Sequence, residues 1–107
     1  MNEEFAPHLA ALRRCVDAGF QFQQLPEGLS GTRTRLATIE VLLVRDTHDC
    51  VAARYRLDDL ERPRPHALWS AMGTVAEVVN GLLSLPPHGE PGAPRLALEC
   101  PDVPRQL

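Results

Sequence analysis

The sequence predicts a two-layer α+β domain, with helices packed on a three-stranded antiparallel sheet, followed by a proline-rich tail. Three observations support this class. Residues 65–85 form a long apolar segment that is almost uncharged. Residues 35–45 and 50–57 are rich in β-branched and aliphatic side chains. Six of the ten prolines fall within residues 86–107. The predicted order is therefore helix, three strands and helix over residues 1–85, with an extended or disordered tail.

The first helix is predicted over residues 3–18. Phe5, Leu9, Leu12 and Val16 recur at helical spacing and share one face, so we expect that face to be buried. Gly19 follows the last apolar residue of the pattern, which is the position where a glycine ends many helices.

Three strands follow in the predicted order. Residues 20–25 alternate phenylalanine and glutamine, the period of a strand with one apolar face. Residues 26–32, with one proline and two glycines, are predicted to be a surface loop. Residues 35–45 and 50–57 are the strongest strand predictions and should form a hairpin around the polar turn at 46–49.

A tight turn at 46–49 fixes the expected pairing of the hairpin. It places Arg54 opposite Val41 and Arg56 opposite Ile39, so one face combines apolar side chains with arginines. Glu40 falls on the other, mostly apolar face, where we expect Tyr55 or an arginine to satisfy its carboxylate. The sequence does not decide whether the first helix or a partner covers the arginine-containing face.

The second helix is predicted over residues 65–85. Its apolar stripe consists of Leu68, Met72, Val75, Val79 and Leu82. The opposite side carries small, nearly uncharged residues, including Gly73, Glu77 and Gly81, where a solvated helix would carry several charges. Because glycine within a helix costs about 1 kcal/mol relative to alanine, we expect close contact there with another subunit or with the rest of the fold. Residues 96–99 are the only part of the tail able to add an edge strand.

Composition limits the classes of function. All eleven basic residues are arginine, a bias that indicates a GC-rich bacterial genome, and the net charge of −3 gives no broad attraction to nucleic acid or to an anionic membrane. Cys15, Cys50 and Cys100 lie outside any CxxC pattern, which favours a reducing cytoplasm. The N-terminal residues lack the pattern of a signal peptide, and Glu77 disfavours a membrane span at 67–85.

No catalytic, cofactor-binding or metal-binding residue is predicted. The ligand-type side chains of Asp46, His48, Asp49 and Cys50 lie in a tight turn that directs them apart, so turn formation explains them better than zinc binding. Residues 28–33 lack the spacing and the following helix of a phosphate-binding loop. Isolated histidines occur beside prolines and are interpreted as surface residues: His8, His66 and His88.

The function expected from these patterns is that of a small non-enzymatic protein-interaction module. It would be an adaptor, a chaperone-like protein or a regulatory partner, acting as a homodimer or as a subunit of a complex. The predicted interaction residues are Arg35, Ile39, Val41, Leu43, Arg45, Arg54, Arg56, Gly73, Glu77 and Gly81. The alternative is a small domain that binds or transforms an anionic metabolite through Arg33, Arg35, Arg54, Arg56 and Glu40.

Overall fold

The computed structural model describes residues 5–95, which form a five-stranded antiparallel sheet with two helices on one face. The elements in chain order are α1 (Ala6–Asp17), β1 (Gln21–Leu25), β2 (Gly28–Arg35), β3 (Thr38–Asp46), β4 (Asp49–Arg56), β5 (Ala67–Gly73) and α2 (Val75–Leu83). Each strand pairs with the next one along the chain, so the sheet is a meander. The protein is therefore α+β, but the prediction of three strands was wrong.

The first unpredicted strand is β2, which replaces the loop expected at residues 26–32. Only Pro26 and Glu27 remain as a turn, and β2 pairs with β1 on one side and with β3 on the other. Gly31 of β2 lies opposite Phe22 of β1, and a Cβ at Gly31 would come within 2.6 Å of the Phe22 ring. Gly31, which contributed to the prediction of a loop, is thus the residue of β2 whose missing side chain leaves room for the Phe22 ring.

The second unpredicted strand is β5, because the helix expected over residues 65–85 is divided at Gly73. This glycine has a φ of +151°, and Thr74 then caps α2. The Thr74 hydroxyl accepts a hydrogen bond from the backbone N–H of Glu77, while the Glu77 carboxylate accepts one from the backbone N–H of Thr74. This capping box fixes the start of α2, and pairing with β4 holds the preceding residues extended.

The hairpin of β3 and β4 has a different register from the one predicted. Asp46 and Asp49 pair as expected, but a β-bulge between Val44 and Asp46 shifts the rest of the ladder by one residue. Arg54 consequently lies opposite Glu40 rather than opposite Val41. A shift of one residue turns a side chain to the other face of a sheet, so Arg54 points to the side that the helices cover.

The main core lies between the helices and the sheet. Its buried members are Ala11, Cys15, Phe20, Leu42, Cys50, Ala52, Val75, Val78, Val79 and Leu82. On the other face of the sheet, a smaller buried cluster contains Val41, Ala53, Tyr55 and Ala67. Both faces of the central strands are therefore buried, which explains the continuous apolar run in β3.

The buried face of α1 is not the one predicted from its largest apolar residues. Ala11 and Cys15 are buried, whereas Phe5, Leu9 and Val16 are exposed. Small residues allow close approach of two helices, and α1 packs mainly against α2. The larger apolar side chains are left on the outer side of α1.

The segment that follows α2 returns to the sheet without regular secondary structure. The Pro86 carbonyl accepts a hydrogen bond from Arg54 Nη1 at 2.7 Å, and Ala93 is buried. The strand predicted at residues 96–99 lies outside the described residues. Among the helices of residues 5–95, none is long and apolar enough to cross a membrane.

Candidate interaction groove

An open apolar groove of about 330 Å³ lies between α1 and the outer end of the sheet. Its lining residues are Leu9, Leu12, Arg13 and Val16 of α1, Phe22 of β1 and Leu29 of β2. The groove exists because α1 packs against α2, which itself lies on β4 and β5. The helix layer therefore leaves part of the β1–β2 end of this sheet face uncovered.

The exposed apolar side chains of α1 form a strip along the groove. Phe5, Leu9 and Val16 are 41%, 42% and 57% exposed, and the half-buried Leu12 lies between the last two. Their spacing places them on one side of the helix. Scattered exposed leucines are normal on a protein surface, but a contiguous apolar strip beside a groove is a feature of binding surfaces.

The charge of the groove comes from Arg13. This residue also lines an adjoining hollow of about 310 Å³ with Ala6, Leu9 and Ala10. Within residues 5–95 it forms no ion pair, and no acidic side chain contributes to either lining. As far as the described residues form it, the groove is thus apolar with one positive charge that has no ion-pair partner among them.

Both ends of α1 are tied to the rest of the domain. At the C-terminal end, Arg33 Nη1 donates a hydrogen bond to the carbonyl oxygen of Ala18 at 2.9 Å. Toward the N-terminal end, His8 Nδ1 accepts one from the backbone N–H of Ala76, in the first turn of α2, at 3.2 Å. These bonds fix the helical wall of the groove relative to the sheet.

A buried arginine–glutamate–arginine centre lies under the C-terminal ends of the two helices. Glu40 has no exposed surface and Arg54 is 1% exposed. Glu40 Oε1 accepts a hydrogen bond from Arg33 Nε at 2.8 Å, and Oε2 accepts one from Arg54 Nη2 at 2.7 Å and another from Arg54 Nε at 3.1 Å. Arg33 also stacks over the Phe20 ring, 4.7 Å from its centroid. The carboxylate expected on an inner face is therefore satisfied by two arginines.

The two arginines of this centre also bind the backbone. Each guanidinium donates to Glu40 and to a backbone carbonyl, that of Ala18 for Arg33 and that of Pro86 for Arg54. Removing one partner from such a buried, hydrogen-bonded ion pair costs free energy of folding, because the remaining charge is left unpaired. The centre joins β2, β3 and β4 to the segments that end both helices.

The structure does not bring the predicted interaction residues together on one surface. Val41 and Leu43 are buried and Ile39 is half-buried, while Arg54 lies on the opposite face of the sheet. The remaining arginines, Arg35, Arg45 and Arg56, are exposed. The role of these residues in binding stays a prediction.

The three predicted residues of the long helix are divided between β5 and α2. Gly73 ends β5, Glu77 belongs to the cap of α2, and Gly81 lies on α2 against Trp69 of β5, where an added Cβ would meet the indole at 3.2 Å. The close contact expected at Gly81 is thus made by the protein's own sheet.

Residues 5–95 contain neither a cluster of metal ligands nor a reactive thiol. No group of three histidine, cysteine or acidic side chains in this range could hold a metal ion. Cys15 and Cys50 are buried free thiols, and burial raises their pKa values to about 11 and about 12. Thiols with such pKa values stay protonated at neutral pH and are poor nucleophiles.

Sequence reasoning missed the groove because it assigned Leu9 and Val16 to the core. One signal was readable: Ala11 and Cys15 are small residues four positions apart, a spacing that suits close packing of two helices. Leu29 was missed because the segment containing it was predicted to be a loop.

Comparison of the chain with protein-family models, with curated proteins and with solved structures found no match.

Proposed function

We propose that this protein is a non-enzymatic protein-interaction module that binds its partner along the exposed side of α1. The observation that supports this function best is the contiguous apolar strip of Phe5, Leu9 and Val16 beside the groove. Exposed apolar surface of this kind is unfavourable in water and is stabilised when a partner covers it.

A small-molecule site fits the geometry less well. Such sites combine an apolar pocket with several polar groups that converge on the ligand. This groove is open, and among residues 5–95 Arg13 is the only charged residue in its lining. Binding of an anionic metabolite by the arginines of the sheet is also disfavoured, because Arg33 and Arg54 are already engaged by Glu40.

The proposed assembly is a complex with a different protein in preference to a homodimer. A second copy would present the same Arg13, which has no ion-pair partner within residues 5–95, whereas a partner with acidic side chains complements the positive groove. A reducing compartment such as the cytoplasm suits the proposal, since Cys15 and Cys50 are free thiols.

The proposal can be tested by selecting binding peptides from a displayed random library. Val16→Glu places a charge in the apolar strip, and Leu36→Glu is a matched control because Leu36 is 77% exposed in the turn between β2 and β3. We expect selected peptides to bind the parent and Leu36→Glu equally and to bind Val16→Glu at least about tenfold more weakly, a loss of about 1.4 kcal/mol. Equal binding by all three proteins, or no selectable peptide, would refute the proposed function.

A further inference from the structure

We propose that the occupant of the groove is an extended segment of another protein. This segment adds to the outer edge of β1 as a sixth strand, with apolar side chains at alternate positions and a carboxylate for Arg13. The inference rests on the proposed function and specifies the chemistry of the partner. Three features of the structure support it: the backbone of β1, the direction of the Phe22 side chain and the charge of the groove.

The first feature is the free edge of β1. Leu25 and Gly28 close a two-residue turn, so this pair exchanges backbone hydrogen bonds. Bonded and non-bonded pairs alternate along an antiparallel ladder, and Gln23 therefore belongs to the next bonded pair. Phe22 and Gln24 consequently direct their N–H and C=O groups away from β2, toward an edge that no strand occupies within residues 5–95.

Strand β1 also lacks the usual protection of an edge. Natural sheets protect edge strands with charged side chains, prolines or bulges, but β1 reads Gln-Phe-Gln-Gln-Leu and contains none of these. The two edge strands differ in what lies over them. At β5, Trp69 packs against Gly81 of α2, whereas the open groove lies beside β1. The edge and the groove thus form one continuous site.

The second feature is the position of Phe22. Its side chain lies on the face that carries the helices and lines the groove. A residue paired with Phe22 on an added strand, about 4.8 Å away, would project to the same face. The residues two positions before and after it on the added strand would project to this face as well. Alternate apolar side chains of the partner would therefore pack against Leu9, Leu12 and Val16.

The third feature is the charge. Arg13 has no acidic partner within residues 5–95 and lies within the apolar lining, so a carboxylate on the added strand would complement it. The β1 strand of a second copy carries no acidic residue. Pairing of two β1 strands would therefore bring no carboxylate of the paired strand to Arg13, which is why a different protein is proposed.

The test uses a short synthetic peptide that alternates valine and threonine with one central glutamate. Hydrogen exchange measured by NMR reports on the Phe22 and Gln24 amides, which point to the free edge. We expect saturating peptide to slow the exchange of these two amides by at least about tenfold, the change that corresponds to about 1.4 kcal/mol of stabilisation. A peptide N-methylated on its β1-facing amides should lose this protection.

A second pair of measurements tests the carboxylate. The parent protein should bind the glutamate peptide a few-fold more tightly than the same peptide with glutamine, as expected of a partly exposed ion pair. Arg13→Gln should bind the two peptides equally. Because Arg13 makes no ion pair within the described part of the chain, we expect this variant to keep the melting temperature of the parent.

The outcomes separate this inference from the proposed function. If α1 amides respond while Phe22 and Gln24 exchange as before, the occupant is not a strand, and strand addition is overturned while the proposed function stands. Protection that grows with protein concentration without peptide would identify a second copy and overturn the inference. Absence of protection at the solubility limit of the peptide would also overturn it. The proposed function itself fails only in the selection experiment, if no peptide can be selected or if the parent, Val16→Glu and Leu36→Glu bind the selected peptides equally.

Discussion

Glu40→Gln should be among the most damaging conservative substitutions in this protein. Glutamine has nearly the same shape as glutamate, so the change removes the negative charge and replaces one of the two acceptor oxygens with an NH2 donor, with little change in volume. Arg33 and Arg54 would then remain side by side, with side chains only 11% and 2% exposed and no counter-charge between them. The expected defect is therefore electrostatic and does not arise from packing.

The magnitude follows from the burial of the centre. Removing one partner of a buried ion pair costs about 3–5 kcal/mol, because the remaining charge is left uncompensated in a medium of low dielectric constant. In a domain of this size, 1 kcal/mol lowers the melting temperature by about 4–8 °C, so even the lower cost predicts a fall of at least about 12 °C.

Thermal and urea denaturation followed by circular dichroism would measure this loss. The informative comparison is the triple variant Arg33→Met, Glu40→Leu and Arg54→Met, which replaces the whole centre with apolar side chains. It should be far less destabilised than Glu40→Gln, losing about 1 kcal/mol for each of the Ala18 and Pro86 carbonyls that loses its donor. A loss below about 1 kcal/mol in Glu40→Gln would mean that water screens the carboxylate, and the reasoning would be wrong.

Three further predictions concern the core, the cap of α2 and the thiols. Val41→Asp should abolish the cooperative melt, because Val41 is buried in the cluster with Tyr55; an intact melt with altered sedimentation would instead show that this face is an interface. Thr74→Ala should lower the free energy of unfolding by about 1 kcal/mol at neutral pH. The hydrogen bond from the Glu77 N–H to the Thr74 hydroxyl does not depend on pH, whereas the hydrogen bonds that Thr74 donates to the Glu77 carboxylate lower the pKa of that group. The part of the loss that comes from Glu77 is therefore present above its unfolded pKa and disappears as the pH falls through the folded one; a difference in urea titrations that does not change with pH would contradict it. Burial raises the pKa of Cys15 to about 11 and of Cys50 to about 12, so these two thiols should resist iodoacetamide at about pH 8 in the native protein and react only in denaturant. Stability should also decline as the pH rises above the ordinary thiol pKa.

The elements that could be predicted from the sequence are those with strong local patterns. The hairpin of β3 and β4, strand β1 and helix α1 were placed within a few residues of their positions in the structure. Strand β2 could not be recognised locally, since its features depend on other strands: Gly31 accommodates Phe22, and Arg33 is satisfied by Glu40. The start of α2 was readable in principle, because Thr74 and Glu77 have the spacing of a capping box.

The candidate site was less predictable than the fold. A bulge of one residue near Arg45 decided which face of the sheet receives Arg54, and no simple pattern in the sequence indicates such a bulge. The large apolar residues of α1 were assigned to the core, because helical spacing identifies an apolar face without showing what covers it. In the structure, the smaller residues Ala11 and Cys15 are the buried ones, in one core cluster with residues of α2 and of the sheet.

The bonds at the two ends of α1 have a consequence for the thermodynamics of binding. Arg33 holds Ala18 to the sheet and His8 holds the first turns of α1 to α2, so the groove wall between them is preformed. A preformed wall loses little conformational entropy when a partner binds, and most of the ordering cost then falls on the incoming segment. Calorimetry should therefore show an unfavourable entropy of binding that becomes smaller when the partner segment is itself constrained to an extended shape.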